Sequence, residues 1–143
     1  EDGIVRFLLT AAAIGMLCGL IPGPLQMLGA ALLCLVFRAN LPLALVSTLY
    51  TNPLTIVPLY LVAFRIGSWL TGTSGTFTAP PGFSFAEPMQ QIAAWFQWLL
   101  SLGQPLMIGL PILAGSLAVL AYAALALAWR VHVQRAWRRR KQR

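Results

Sequence analysis

The sequence predicts an all-α, polytopic membrane protein with three to four spanning helices around a helical hairpin that prolines interrupt. Composition is the first observation behind this prediction. Of the 143 residues, 59% are hydrophobic and only 9% are charged, and the mean hydropathy is +0.78. Soluble domains carry about a quarter charged residues. The chain therefore has the composition of a membrane protein.

The second observation is the position of the prolines in the apolar residues 20–60. Five of the chain's ten prolines lie there, at Pro22, Pro24, Pro42, Pro53 and Pro58. Proline lacks a backbone donor and disfavours helix in the residue before it, so the apolar pieces are too short to cross a bilayer. Non-helical backbone at membrane depth persists only where protein or a wet cavity satisfies its polar groups. Any function beyond anchoring is expected in this stretch.

The first helix is predicted over residues 4–21, which are just long enough to cross a hydrocarbon core of about 30 Å. No A-x-A cleavage site follows it, which argues against a removable signal peptide. The Pro22-Gly23-Pro24 segment is predicted to end this helix. Residues 25–37 form the next apolar piece, which rises only about 20 Å as a helix.

A polar segment over residues 38–42 separates residues 25–37 from the still shorter apolar residues 43–50. Two short helices joined by a polar tip form a helical hairpin. Two arrangements remain open for it. The hairpin is either re-entrant, or tilted and packed against longer neighbours.

A further helix is predicted over residues 53–70, with Asn52 as N-cap, Pro53 at the first helical position and a kink at Pro58. Residues 71–88 are rich in Gly, Ser, Thr and Pro and contain no basic residue. This segment is expected to be a loop that faces away from the cytoplasm.

Residues 89–102 are predicted to form an interfacial helix, since Trp95 and Trp98 suit a membrane–water boundary. Residues 105–129 form the strongest spanning segment, with 25 residues and no formal charge. Small residues along this segment are expected to let neighbouring helices approach closely. They include Gly103, Gly109 and Gly115.

The net charge of +7 comes from the C-terminal end, where seven of the ten basic residues follow Trp129. We therefore divide the chain into a transmembrane helical domain, residues 1–130, and a basic tail, residues 131–143. Basic flanks are typical of the cytoplasmic side. Binding of anionic lipid headgroups is the alternative interpretation of the tail. Nucleic acid is not expected as a partner, because no nucleic-acid-binding fold accompanies the arginines.

The inventory of titratable groups argues against an enzyme. The acids are Glu1, Asp2 and Glu87, and His132 is the only histidine. No carboxylate pair, Ser-His-Asp set or phosphate loop can be assembled from these residues. The two cysteines lie in apolar runs without metal-ligand spacing, so neither a metal nor a cofactor is predicted, and buried packing is expected for both.

The remaining polar residues of the interrupted stretch are the candidate ligand-binding residues. They are Gln26, Arg38, Asn40, Thr51, Asn52 and Thr55. Arg38 offers a permanent cationic fork for a phosphate or carboxylate, and the others offer hydrogen bonds. The alternative is structural: the amides and hydroxyls cap helices and satisfy freed backbone, while Arg38 extends to the interface.

Three motifs in this stretch resemble a family of small bacterial inner-membrane proteins known as domain of unknown function 2062. The first motif is G-x-x-P-x-x-x-Q, with Gly19, Pro22 and Gln26. The second is R-x-N-L-P, with Arg38, Asn40, Leu41 and Pro42. The third and most specific is T-N-P-L-T-x-x-P-x-Y, which comprises residues 51–55, Pro58 and Tyr60. The resemblance extends over about residues 5–130. It implies a bacterial inner-membrane location and supplies no mechanism.

Two functions follow as expectations. The first is a transporter or lipid-handling protein whose broken hairpin binds an anionic group or a lipid headgroup. The alternative is a non-catalytic membrane subunit or scaffold that binds another membrane protein. Membrane lipids are expected partners in both cases. Homo-oligomerisation is also expected, because a few spanning helices enclose little volume.

Overall fold

The computed structural model describes residues 2–21, 25–52, 54–82 and 86–141. All regular structure in these residues is helical, so the all-α prediction is confirmed. The elements are α1 (Asp2–Cys18), α2 (Leu25–Phe37), α3 (Leu41–Ser47), a 3₁₀ turn (Thr48–Tyr50), α4 (Ile56–Thr71) and α5 (Pro88–Lys141). The Pro22-Gly23-Pro24 break lies outside the described residues.

The chain divides into two compact units. Unit 1 comprises Glu1–Leu49 together with Ser116–Arg143, and unit 2 comprises Tyr50–Gly115. Helix α5 contributes residues to both units, and it continues through Arg130 into the basic segment. Each unit is described by itself below.

In unit 1, helices α1, α2 and α3 pack against one another, so α2 and α3 form the predicted hairpin. Small side chains dominate the core, which consists of Ala11, Ile14, Cys18, Ala30, Cys34 and Ala44. The backbones approach closely at Gly15, where an added Cβ would lie 2.5 Å from the carbonyl oxygen of Ala44. Both cysteines are free and buried, as the sequence predicts.

Helix α2 has the predicted limits, Leu25 and Phe37, and most of its apolar surface is uncovered. Leu35 and Val36 remain 76% and 73% exposed. Soluble monomers rarely leave contiguous apolar patches of this kind uncovered. The helix has only 13 residues, so it rises about 20 Å.

In unit 2, α4 crosses the nearby part of α5 with backbone against backbone. A Cβ at Gly67 would overlap the carbonyl oxygen of Pro105, and one at Gly109 would overlap that of Ala63. The close approach predicted at Gly109 is therefore confirmed. It does not occur at Gly103 or Gly115, where an added Cβ meets no described atom within 4 Å.

Gly103 has a different role, because it interrupts α5. Its φ of 62° and ψ of −151° are non-helical and fall in a region that only glycine occupies readily. The interruption lies between the two helices that the sequence predicts over residues 89–102 and 105–129.

An aromatic cluster organises the rest of unit 2. Tyr60 stacks on Trp98 with 5.8 Å between ring centroids, and Phe77 contacts Trp98 edge-on at 6.2 Å. The indole N–H of Trp98 also donates to the carbonyl oxygen of Thr78 over 2.8 Å. The cluster therefore attaches the loop after α4 to the first part of α5. Phe83 and Phe85 lie outside the described residues.

Among the described residues, one helix has the length and apolar composition needed to cross a membrane, Pro88–Arg140. The other apolar helices are shorter, with 17 residues in α1, 13 in α2 and 16 in α4. The number of spans therefore stays a prediction.

Candidate functional site

The six predicted site residues divide between the two units. Gln26, Arg38 and Asn40 belong to unit 1, in and after α2, and Thr51, Asn52 and Thr55 belong to unit 2, before α4. The structure therefore gives two polar clusters, one at the tip of the α2–α3 hairpin and one at the start of α4.

The hairpin tip is shaped by a helix C-cap at Arg38. The N–H of Ala39 donates to the carbonyl oxygen of Cys34 over 3.0 Å, which is the six-to-one bond of a Schellman motif. The residue in the left-handed position of this motif is Arg38, with φ of 50°. Glycine normally occupies that position, because a side chain there costs about 1–2 kcal/mol.

Arg38 is the only non-glycine residue with positive φ among the described residues. Its side chain is exposed, and its guanidinium makes no ion pair or hydrogen bond within the described chain. An uncommon backbone conformation thus places a cation with unused donors at the end of an apolar hairpin.

Asn40 begins the returning helix. Its Oδ1 accepts a hydrogen bond from the N–H of Leu43 over 2.9 Å, and Pro42 follows in the first turn. This is a standard N-cap arrangement, so the structural role of Asn40 is confirmed. The cap uses Oδ1 only, and the amide Nδ2 has no partner in the described chain. Gln26 is half-buried in the first turn of α2.

The second cluster is a reciprocal pair. Asn52 Oδ1 accepts from the N–H groups of Leu54 and Thr55, at 2.9 and 3.1 Å. In return, Thr55 Oγ1 accepts from the N–H of Asn52 over 2.9 Å and donates to the carbonyl oxygen of Tyr50 over 2.7 Å. The pattern is that of a capping box, with threonine in the usual place of glutamate.

Asn52 therefore makes the bonds of a cap, although α4 itself begins only at Ile56, three residues after the predicted start. Thr55 precedes the helix and makes no side-chain cap bond of its own. The N–H of Ile56 nevertheless donates to the carbonyl oxygen of Asn52 over 2.9 Å, which is the first helical bond that an N-cap residue accepts. Pro53, the predicted first helical residue, lies outside the described residues. Thr51 is half-buried beside this turn.

The structural alternative thus accounts for Asn40, Asn52 and Thr55, because all three satisfy nearby backbone. Capping does not exclude ligand contact, since both asparagines keep an Nδ2 donor pair that the caps do not use. Arg38 is the site residue for which no structural bond appears in the described chain. The chemistry that this set can perform is recognition of an acceptor-rich anion rather than proton transfer.

A third polar feature was not singled out from the sequence. One face of α4 and the following loop line a groove of about 540 Å³ that contains Arg65, Ser68 and Thr76. The spacing of Arg65 and Ser68, three residues apart on one helix, is the signal that could have found this feature.

The close helix crossings were also partly missed. Gly15 and Gly67 each follow an alanine by four residues, at Ala11 and Ala63. This small-xxx-small spacing permits close backbone approach and would have predicted both crossings. No group of three or more His, Cys, Asp or Glu suited to a metal occurs within residues 2–21, 25–52, 54–82 and 86–141.

Comparison with known proteins gives the family. A family model described as an uncharacterised protein conserved in bacteria, DUF2062, matches residues 6–138. The chain belongs to this family, and the resemblance drawn from the three motifs is confirmed. No curated protein and no solved structure matches the chain.

Proposed function

We propose that this protein is a bacterial inner-membrane protein that transports or handles anionic lipids, with its hairpin tip as the headgroup-binding site. The observation that carries the proposal is Arg38. Its backbone adopts a conformation that glycine would adopt at lower cost, and its guanidinium is exposed and unpaired in the described chain. A strained residue of this kind indicates that the side chain is needed for function.

The surroundings of Arg38 support an amphiphile over a small ion. The helix that leads to it exposes apolar side chains, including Leu35 and Val36. Acyl chains would cover that surface in a membrane. A headgroup phosphate beside the hairpin tip would meet the guanidinium fork, which matches phosphate geometry. The spare Nδ2 of Asn40 lies two residues further along the chain.

The topology in this proposal keeps three to four spans, with residues 71–88 outside and the C-terminus cytoplasmic. The basic segment that follows Trp129 supports this orientation, since basic residues favour the cytoplasmic side. The exposed apolar helices support assembly into a homo-oligomer, which would enclose a path that one short chain cannot.

The experiment is lipid translocation in proteoliposomes that contain the full chain. Fluorescent phosphatidylglycerol and phosphatidylcholine are compared by reduction of the outer-leaflet label with dithionite. Arg38→Gly is the decisive variant, because glycine suits the left-handed position and removes only the side chain. We expect selective loss of phosphatidylglycerol translocation with no loss of thermal stability.

Arg6→Gln is the matched control, because it also removes one exposed cation, from α1. It should leave translocation unchanged. If Arg38→Gly translocates phosphatidylglycerol at the wild-type rate, the hairpin tip is not the headgroup site. A similar loss in Arg6→Gln would mean that only net charge matters.

The alternative function is a non-catalytic subunit or scaffold. The observation that favours it is the extent of uncovered apolar surface on α2 and α5, which a second membrane protein would cover. Co-purification of a defined second polypeptide in mild detergent would support it. Loss of that polypeptide on deletion of residues 135–143, with lipid translocation unchanged, would separate this function from the first.

A further inference from the structure

The groove beside α4 is lined by both apolar and polar residues. Four residues of α4 line it at the spacing of one helical face, and three loop residues form the opposite wall. They are Leu61, Phe64, Arg65, Ser68, Gly75, Thr76 and Phe77. Its volume, about 540 Å³, is within the range of small-molecule sites.

The loop wall of this groove is fixed in place by packing. The ring of Phe77 contacts Phe64 edge-on, with 5.8 Å between centroids, and also contacts Trp98. Gly75 lies against the Phe64 ring, where an added Cβ would be 3.0 Å from Cζ. One residue beyond Phe77, the carbonyl of Thr78 accepts the Trp98 bond. The groove is thus largely pre-formed, which lowers the entropic cost of binding.

Two polar residues of this lining have donors that the described chain does not use. Arg65 is exposed and makes no ion pair or hydrogen bond with any described residue. Ser68 Oγ is fully covered and likewise has no hydrogen-bond partner in the described chain, which is costly for a buried hydroxyl. Residues three apart on a helix have neighbouring Cβ atoms, about 5–6 Å apart. An acceptor held by Arg65 would therefore lie close to the Ser68 side chain.

From these contacts we infer that the groove binds the phosphate of an anionic phospholipid. The guanidinium of Arg65 pairs with the phosphate, and the hydroxyls of Ser68 and Thr76 donate to its oxygens. The first carbons of the glycerol and acyl chains lie against Leu61 and Phe64. No acidic residue lines the groove, so the site selects negative charge. This inference depends on the proposed membrane location and not on the Arg38 site.

The test is native mass spectrometry of the full chain in detergent, titrated separately with phosphatidylglycerol, phosphatidylcholine and inorganic phosphate. We expect preferential binding of phosphatidylglycerol. Arg65→Gln should weaken this binding about tenfold, which is the scale of one lost charge-assisted hydrogen bond. Ser68→Ala should weaken it by a smaller factor without loss of fold, because it removes a hydroxyl that lacks a partner.

Two controls keep this site separate from the hairpin tip. Arg6→Gln removes another exposed cation, from α1, and should leave phosphatidylglycerol binding unchanged. Arg38→Gly removes the proposed translocation site and should leave the Arg65-dependent part of the binding intact. If Arg65→Gln abolishes binding while Arg38→Gly translocates normally, the groove is supported as a lipid-binding site. The same result would contradict the proposed function of the hairpin tip.

Three outcomes would overturn the inference. Equal binding of phosphatidylglycerol and phosphatidylcholine would show that the groove does not recognise negative charge. Inorganic phosphate that competes at the same concentration as phosphatidylglycerol would mean that the apolar walls contribute nothing. Wild-type affinity in both Arg65→Gln and Ser68→Ala would place the bound lipid elsewhere on the chain.

Discussion

A methyl group on Gly109 would overlap the carbonyl oxygen of Ala63. The two helices of unit 2 therefore touch through backbone atoms at this point, without an intervening side chain. Gly67 on α4 makes the same kind of contact with Pro105 on α5. Such crossings gain dispersion contacts and weak Cα–H···O bonds over a short length.

The first prediction concerns this crossing. Gly109→Ala should destabilise the protein by about 1–3 kcal/mol, because the added methyl group forces the backbones apart. The measurement is thermal or SDS unfolding of purified protein in detergent. Gly115→Ala is the control on the same helix, since an added Cβ there meets nothing within 4 Å. It should stabilise the helix by about 0.5–1 kcal/mol.

The two alanine substitutions are expected to change the stability in opposite directions, so the test separates the crossing from helix propensity. Equal effects of Gly109→Ala and Gly115→Ala would show that helix propensity alone governs both positions, and that the crossing contributes nothing.

The second prediction concerns the reciprocal bonds between Asn52 and Thr55. Asn52→Ala should cost about 1 kcal/mol, the usual value for a lost cap. Thr55→Val should cost a similar amount, since it frees the N–H of Asn52 and the carbonyl of Tyr50. Because the two residues cap each other, the double variant should lose less than the sum, with a coupling of at least about 0.5 kcal/mol.

A double-mutant cycle by chemical unfolding measures this coupling. Additive losses from Asn52→Ala and Thr55→Val would contradict the reciprocal arrangement. The same Asn52→Ala protein should be tested for translocation, because a loss of transport without a loss of fold would assign its Nδ2 to the ligand.

The third prediction concerns the bond from Trp98 to Thr78. Trp98→Phe keeps an aromatic ring in the cluster and removes the indole donor, so the loop over residues 73–82 should open more often. We expect faster amide exchange and proteolysis in this loop, with a modest loss of about 0.5–1.5 kcal/mol in global stability. Trp69→Phe, at a position 82% exposed, should change neither. Unchanged exchange in Trp98→Phe would show that ring packing alone holds the loop.

The fourth prediction concerns the backbone at Arg38. Arg38→Gly should raise stability by about 1 kcal/mol, because glycine adopts the left-handed conformation without steric cost. Arg6→Gly, inside α1, should lower stability by a similar amount, since glycine weakens a helix interior. Unfolding midpoints of the two variants measure this contrast. A loss of stability in Arg38→Gly would mean that the guanidinium supports the fold.

Local sequence signals predicted the hairpin well. Both ends of α2 match the predicted limits, because a Pro-Gly-Pro segment precedes it and a charged residue follows it. The structural alternative for Asn40, a helix cap, is confirmed, since capping requires only a polar side chain before an apolar run. Its predicted ligand contact stays a prediction. These features depend on residues within one turn of each other.

Other features depended on partners far apart in the sequence. The contacts of Gly67 with Pro105 join residues separated by a loop, so spacing alone identifies a small face but not its partner. The left-handed conformation of Arg38 could not be predicted, because this residue is neither a glycine nor an asparagine. The unpartnered hydroxyl of Ser68 depends on rotamer choice and packing, which residue types do not specify. The reciprocal bonds of Asn52 and Thr55 depend on the geometry of both side chains, which residue types alone do not specify.

Under the proposed membrane location, the break at Gly103 has a consequence for how the protein would respond to the thickness of its bilayer. A straight helix of 54 residues would rise about 81 Å. Residues 105–129 alone would rise about 38 Å, more than a hydrocarbon core of about 30 Å, and such excess is relieved by tilting. Because the helical ladder is interrupted at Gly103, this tilt need not be transmitted to the preceding segment that carries Trp98. Hydrophobic mismatch in membranes of different thickness would then be absorbed at a single glycine.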